Sequence, residues 1–311
     1  DITNADVMII RTRTRCNREL LHGTKVSLIA TATIGTDHID IQYCRDNGIR
    51  VYNAQGCNAG GVMQYVFSAL YGTASRNAIK LDGATLGIIG VGNVGKKVEH
   101  MARYLGFNVL KCDPPRAAKE GPEEFVSMEY LLASSNIVTM HTPLDESTFK
   151  MADRDFFSLM KPGTFFINAS RGEVVDEQAL IEAIPKLGPV IIDTWNNEPD
   201  VNKELIEMVD IATPHIAGYS FQGKQNGTAS AVRAVARQFD ILGLYHFFPT
   251  NDLPEHQPIR LDLKGKNQGE ITAVFQYNYP IFTDDFMFRM DPDNFERMRS
   301  EYQYRREIYV D

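Results

Sequence analysis

Short runs of consecutive apolar residues, each long enough for one buried strand, recur along the first two thirds of the chain and alternate with polar, helix-compatible stretches. Over 6–51 the runs are VMII, SLIA and IRVY, an alternation that predicts β-α units with parallel strands. A stronger series follows: TLGIIGVG, FNVLKCD, NIVTMHT, GTFFINAS and PVIIDTW, near-continuous apolar runs of the kind buried on both sheet faces. Between the two series, Met63, Val66, Phe67 and Leu70 fall at three- and four-residue spacings and predict a long helix over 58–75 with one apolar face. Beyond Pro214 a glycine-containing loop leads to Val232, Val235, Ala236, Phe239 and Leu242, which predict a helix over 229–244 returning to the first domain. Past Pro249 the pattern changes: proline and charge punctuate 252–262, then come ITAVFQYNY and an aromatic, charge-rich, helix-like end over 293–309.

The fold class expected is therefore α/β: two doubly wound parallel-sheet (Rossmann-like) domains plus a small α+β C-terminal domain. The boundaries read as 1–72 with 218–245, 73–217, and 250–311. A chain of 311 residues, 43% hydrophobic, has room for two or three such units.

Charge and cysteine usage narrow the function. No apolar stretch approaches the roughly 20 residues needed to cross a bilayer, and no charged-then-apolar leader precedes the first strand, so a soluble, cytoplasmic protein is expected. A net charge of −8 gives no general attraction for nucleic acid or anionic membrane, so an anionic ligand must be held by a few placed groups. Cys16, Cys44, Cys57 and Cys112 lie far apart without a C-x-x-C pair, which argues against a disulfide framework and against a zinc site; no metal is expected.

Gly90, Gly92, Asn93, Val94 and Gly95 lie in the stretch GVGNVG, a G-x-G-x-x-G motif whose context gives it weight. It follows an apolar strand, opens a helix, and is followed about 20 residues on by a second strand ending in Asp113. The helix N-terminus offers unpaired N–H groups to a pyrophosphate, and Asp113 can accept bonds from the ribose hydroxyls while repelling a 2′-phosphate. NAD is thus the expected cofactor, in preference to NADP.

An enzyme that takes hydride from a 2-hydroxy acid needs a cation for the carboxylate, a base for the hydroxyl proton, and a neighbour that tunes the base. Arg171 follows FFINAS, Glu198 comes five residues after Asp193 in DTWNNEP, and His215 sits in TPHIAG, each near the end of a predicted strand. A guanidinium grips a carboxylate bidentately, and a carboxylate beside an imidazole stabilises the imidazolium. His38, in GTDH, is read as a structural histidine.

The order of glycine motif, S-R-G, D-x-W-x-x-E-P and P-H-x-x-G, spanning 86–218, resembles the D-2-hydroxyacid dehydrogenases. The resemblance implies that His215 is the acid/base, Glu198 its partner and Arg171 the residue that orients the substrate. It also implies cofactor contacts at Thr142, Ala169, Ser170, Asp193 and Gly218, with Asp193 receiving the nicotinamide carboxamide. Three further stretches, TATIGTDH, QGCNA and CDPPR, together with GYxxxGK after Ala217, resemble one branch of that family. Membership implies a small phosphorylated 2-hydroxy acid as substrate and a homodimer formed through the C-terminal domain. Thr12, Thr33 and Tyr219 match substrate-contact positions; Arg11, just after VMII, is the candidate for the phosphate. The chain departs from the family pattern in starting without its first strand and helix, and in being several residues short after Leu144 and near Pro185. Two other readings share these residues: a phosphoglycerate- or hydroxypyruvate-type dehydrogenase, and a non-catalytic NAD-sensing interaction protein.

Overall fold

Three parallel strands, β1 (Val7–Ile10), β2 (Leu28–Thr31) and β3 (Arg50–Asn53), pair in chain order in the computed structural model, which describes residues 2–250 and 253–310. Asp1, Asn251, Asp252 and Asp311, which fall within the expected domain ranges and the 252–262 stretch, lie outside the described residues. A second parallel sheet holds β4 (Thr85–Ile89), β5 (Asn108–Cys112), β6 (Ile137–Met140), β7 (Phe165–Asn168), β8 (Val190–Ile192) and β9 (Ile211–Ala212). Its order is β5-β4-β6-β7-β8-β9. Strands β6 and β7 are buried at every position, as their unbroken apolar runs require.

Between the sheets runs the helix Ala59–Arg76, and here the one-face expectation needs correcting. Every residue from Ala59 to Ala74 is buried, including Gln64, Ser68 and Thr73. The helix packs on the Asn93–Tyr104 helix of the second sheet, on the helix Phe221–Gln238, and on the C-terminal helices Gln268–Asn278 and Ile281–Met290. Ser68, a polar position that the periodicity assigns to solvent, is paired inside instead: its hydroxyl donates to the Tyr279 carbonyl at 2.7 Å, and Gln276 Nε2 donates to its carbonyl at 2.7 Å.

The returning helix also differs from expectation. It spans Phe221–Gln238, starting eight residues before Ala229, and it packs on all three strands of the first sheet. Ser220 caps it, accepting the Gly223 N–H at 2.9 Å. Gly227 is inside the helix because a Cβ there would lie 2.3 Å from the Ala32 carbonyl oxygen; the glycine is for close packing, not for a loop.

The C-terminal unit combines the helices Gln268–Asn278, Ile281–Met290 and Phe295–Glu301 with a parallel pair, β10 (Ile259–Leu261) and β11 (Ile308–Val310). The helix-like end stops at Glu301, and the chain then turns through Tyr302 and Tyr304 into β11. This unit covers the free edge of the second sheet: Asp285 accepts the Ala212 N–H at 2.7 Å, and Arg289 donates to the Val209 carbonyl at 2.8 Å.

Candidate active site

Strand order in the second sheet reverses at β4, with β5 on one side and β6 on the other, and the crevice above such a reversal is where open α/β sheets bind ligands. Gly90 leaves β4 at φ +83°, and a Cβ there would stand 2.7 Å from the carbonyl oxygen of His141 at the end of β6. Glycine is what lets the two strand ends meet. Gly92 precedes the helix Asn93–Tyr104 with no side-chain cap, so the N–H groups of its first turn, which includes Asn93, Val94 and Gly95, point outward unclaimed by a side chain. Nothing stands within 4 Å of where a Gly92 Cβ would be. An open surface with aligned donors and the positive end of a helix dipole fits a pyrophosphate.

Asp113 follows β5 and holds this turn. Its Oδ2 accepts the Val91 N–H at 2.8 Å and its Oδ1 accepts the Arg116 N–H at 3.0 Å, leaving further lone pairs for ribose hydroxyls. Arg116 does not provide a free cation for a 2′-phosphate: it donates to the Val91 carbonyl at 2.7 Å and is paired with Glu120 at 2.5 Å. At the end of β6 the Thr142 hydroxyl is buried with no partner among the described residues, a polar atom placed to meet a ligand. The cofactor expected from the sequence fits these features.

Arg171 is presented by a turn that Asn168 builds at the end of β7. Asn168 Oδ1 accepts the Ser170 N–H at 3.1 Å and the Ser170 hydroxyl at 2.8 Å, while its Nδ2 donates to the Arg171 carbonyl at 2.8 Å. Ala169 packs at the edge of the main core and Ser170 is buried, so the guanidinium is the group left to reach out. It donates to the Ser170 carbonyl at 2.7 Å, and its Nε lies 3.7 Å from Asp37 Oδ2 in the loop after β2. Asp37 is 73% exposed, so this ion pair is weak and a substrate carboxylate can replace it. At Gly172 a Cβ would fall 2.0 Å from the Trp195 carbonyl carbon. That contact locks the Arg171 loop against the loop carrying Glu198.

Glu198 Oε2 meets His215 Nδ1 at 2.8 Å, and Glu198 Oε1 accepts the Trp195 N–H at 2.9 Å. Burial alone would raise the Glu198 pKa; the charge of His215 and the bonds from His215 and Trp195 outweigh it and hold the carboxyl below its ordinary range. His215 has φ +54°, a left-handed conformation rare outside glycine, and the surroundings that hold it there centre on Asp193. The Asp193 carbonyl accepts the His215 N–H at 2.7 Å. Its carboxylate accepts the Thr213 hydroxyl at 2.7 Å, the Ile216 N–H at 2.8 Å and the Ala217 N–H at 2.9 Å, and is fully buried. Asp193, expected at the nicotinamide, thus spends three bonds on shaping the His215 loop.

Gly218 faces Asn58, and Tyr219 stacks on Tyr304 at 5.8 Å with Tyr302 edge-on at 5.7 Å. Arg11 and Thr12 are exposed after β1, and the charge of Arg11 reaches Cys57 and Tyr219. Thr33, half-buried after β2, shares a 2.7 Å hydroxyl bond with Thr31. His38 stays in the loop after β2, where its carbonyl accepts the Cys16 N–H at 2.8 Å and burial lowers its pKa. Sequence reasoning missed Asn168, the Trp195 N–H, and Arg305. The buried Arg305 guanidinium of the C-terminal unit donates to the carbonyls of Ile216 (3.2 Å), Ala217 and Gly61 (3.1 Å), clamping the His215 loop from below.

Residues 63–217 match the family described as D-isomer specific 2-hydroxyacid dehydrogenase, NAD binding domain. The erythronate-4-phosphate dehydrogenase of Bacteroides fragilis is 43% identical over 98% of this chain and 87% of its own length. That of Yersinia pestis is 38% identical over 98% of this chain and 84% of its own. Among solved structures, the NAD-bound 3-phosphoglycerate dehydrogenase of Entamoeba histolytica superposes with a TM-score of 0.66 at 27% identity, covering 81% of this chain and 84% of that one. The chain belongs to the D-isomer-specific 2-hydroxyacid dehydrogenase family, and within it to the erythronate-4-phosphate dehydrogenases.

Proposed function

We propose that this chain oxidises 4-phospho-D-erythronate at C2 to 2-oxo-3-hydroxy-4-phosphobutanoate, with NAD as cofactor, in pyridoxal 5′-phosphate (vitamin B6) biosynthesis. The observation that carries the hydride chemistry is the 2.8 Å His215–Glu198 pair, with Glu198 on a loop held against that of Arg171, and the choice of substrate is supported by the 43% identity to an erythronate-4-phosphate dehydrogenase over 98% of the chain. NAD, when bound, supplies the acceptor for the hydride leaving C2. Arg171 holds the carboxylate and keeps C2 oriented. His215, with Nδ1 committed to Glu198, takes the C2 hydroxyl proton on its other nitrogen, and Glu198 stabilises the imidazolium that results.

Gly90, Gly92, Asn93, Val94 and Gly95 would line the pyrophosphate, Asp113 the ribose, and Thr142, Ala169, Ser170, Asp193 and Gly218 the nicotinamide side. Arg11, Thr12, Thr33 and Tyr219 would face the substrate. In domain terms, 1–72 with 218–245 bind the substrate, 73–217 the cofactor, and 250–311 dimerise two copies. Support for the homodimer comes from the exposed apolar side chains of that last unit, Tyr277, Phe286, Met287 and Met290. A cytoplasmic site of action fits the free cysteines and the absence, among the described residues, of any helix long and apolar enough to cross a membrane.

The His215→Gln variant tests the mechanism. Its kcat is expected to fall by about 10²- to 10⁴-fold while NADH binding, followed by fluorescence, persists. Undiminished turnover would remove His215 from the chemistry, and intact cofactor binding without turnover in the unsubstituted protein would favour the NAD-sensing role.

A further inference from the structure

Arg299 lies on the short helix Phe295–Glu301 of the C-terminal unit, far from any sequence motif that marks the site, yet its side chain is only 16% exposed. One edge of the guanidinium is paired outward, with Nη1 2.9 Å from Glu296, a side chain that is itself 58% exposed. Its carbon stands 5.4 Å from the ring centre of Phe295, a buried core residue. The Nε proton is buried with no acceptor among the described residues. An arginine buried with an unused donor is costly unless a ligand completes its bonding.

The groups it faces are those of the active site. Arg299 interacts with the Tyr219 hydroxyl and with the charge of Glu198. Tyr219 is also reached by the charge of Arg11 from the opposite unit. Lys224 lies 4.6 Å over the ring of Tyr304, which stacks on Tyr219. In a chain of net charge −8, Arg299 and Arg11 therefore reach one tyrosine, four residues beyond His215, from separate segments, and Lys224 stands on the ring stacked against it. The Glu198 oxygens are taken up by His215 and Trp195, so they do not claim the guanidinium donors of Arg299.

We propose that Arg299 is a substrate-binding residue: with Arg11 and the Tyr219 hydroxyl it receives the phosphoryl end of the substrate, at the end of the molecule opposite the carboxylate on Arg171. The inference rests on the reading above that the substrate is a phosphorylated 2-hydroxy acid. It makes the C-terminal unit part of the specificity pocket as well as a scaffold. A planar fork with donors on two edges suits a phosphate, and lysine in its place keeps the charge but loses the paired geometry.

The test compares full-length protein and its Arg299→Ala and Arg299→Lys variants on 4-phospho-D-erythronate and on unphosphorylated D-erythronate, with NADH binding measured alongside. For Arg299→Ala, kcat/KM on the phosphorylated substrate should fall by about 10- to 100-fold, mostly through KM, and at least about fivefold more than on D-erythronate, with NADH affinity within about twofold of the parent. Arg299→Lys should keep part of the preference. An equal loss on both substrates, or no loss on either, overturns the inference. If Arg299→Ala fails to bind NADH, the substrate ratio in Arg299→Lys decides: a ratio equal to the parent's is also a contradiction. A parent enzyme that itself shows no preference for the phosphorylated acid would instead sink the functional reading.

Discussion

His215 is held in a left-handed backbone conformation by bonds to Asp193, and the same loop delivers its ring to Glu198. Strain of this kind persists only where neighbours over-determine it, and here it fixes the imidazole where a proton must move. Glu198→Gln keeps the size and the Trp195 bond but removes the charge; kcat/KM at neutral pH is expected to drop by about 10- to 1,000-fold in steady-state assays. The same pair sets a pH limit on stability. The Glu198 carboxyl is held below its ordinary value of 4.5, so it contributes stability that is fully present above that value and is lost as pH falls through the depressed one. Urea unfolding followed from pH 6 downward should therefore show the parent losing stability below about pH 4.5 more steeply than Glu198→Gln. At this scale the sequence was most readable: the glycine turn, Arg171, Glu198 and His215 lie in short motifs whose spacing encodes their geometry. Asn168 and Arg305 carry no such signature, because shaping a turn or clamping a carbonyl depends on neighbours distant in the chain.

Element boundaries were least legible where glycine serves packing. Gly223 and Gly227 suggest a loop, yet both sit in the helix Phe221–Gln238, and the nearest atom to a Gly227 Cβ is a backbone oxygen that cannot swing aside. Gly227→Ala should destabilise the protein by about 1–3 kcal/mol by overpacking, read from the shift of the urea midpoint, although alanine is the better helix former. The outcome separates the two uses of glycine: an alanine that stabilises would show that the position was chosen for chain flexibility. Strands of the two larger sheets fared better, since short apolar runs at this spacing leave little ambiguity; β9, two residues long, escaped the pattern, and so did the C-terminal pair β10 and β11, which lie in stretches read as punctuated by proline and charge or as helix.

At the scale of the whole molecule, the helix Ala59–Arg76 joins the core of the second sheet to that of the C-terminal unit and also packs on the helix Phe221–Gln238, which its own periodicity does not reveal. Its all-round burial depends on the C-terminal unit, whose Arg305 donates to the Gly61 carbonyl of that helix and to the Ile216 carbonyl, and lies 4.0 Å over the ring of Tyr279. Arg305→Met is therefore expected to cost about 3–5 kcal/mol in unfolding measurements and to lower kcat even where the protein remains folded, because three carbonyls lose their donor and the His215 loop loosens. Retained stability and retained kcat together would mean that the unit serves assembly alone.

The most direct test of the central claim is NADH formation by the full-length protein on 4-phospho-D-erythronate and, in parallel, on 3-phosphoglycerate, with a 2-oxo acid acceptor present in a second series so that tightly held NADH is recycled. Saturable turnover is expected on phosphoerythronate with the larger kcat/KM; turnover confined to 3-phosphoglycerate would leave the family and the His215–Glu198 chemistry standing but contradict the substrate assigned here.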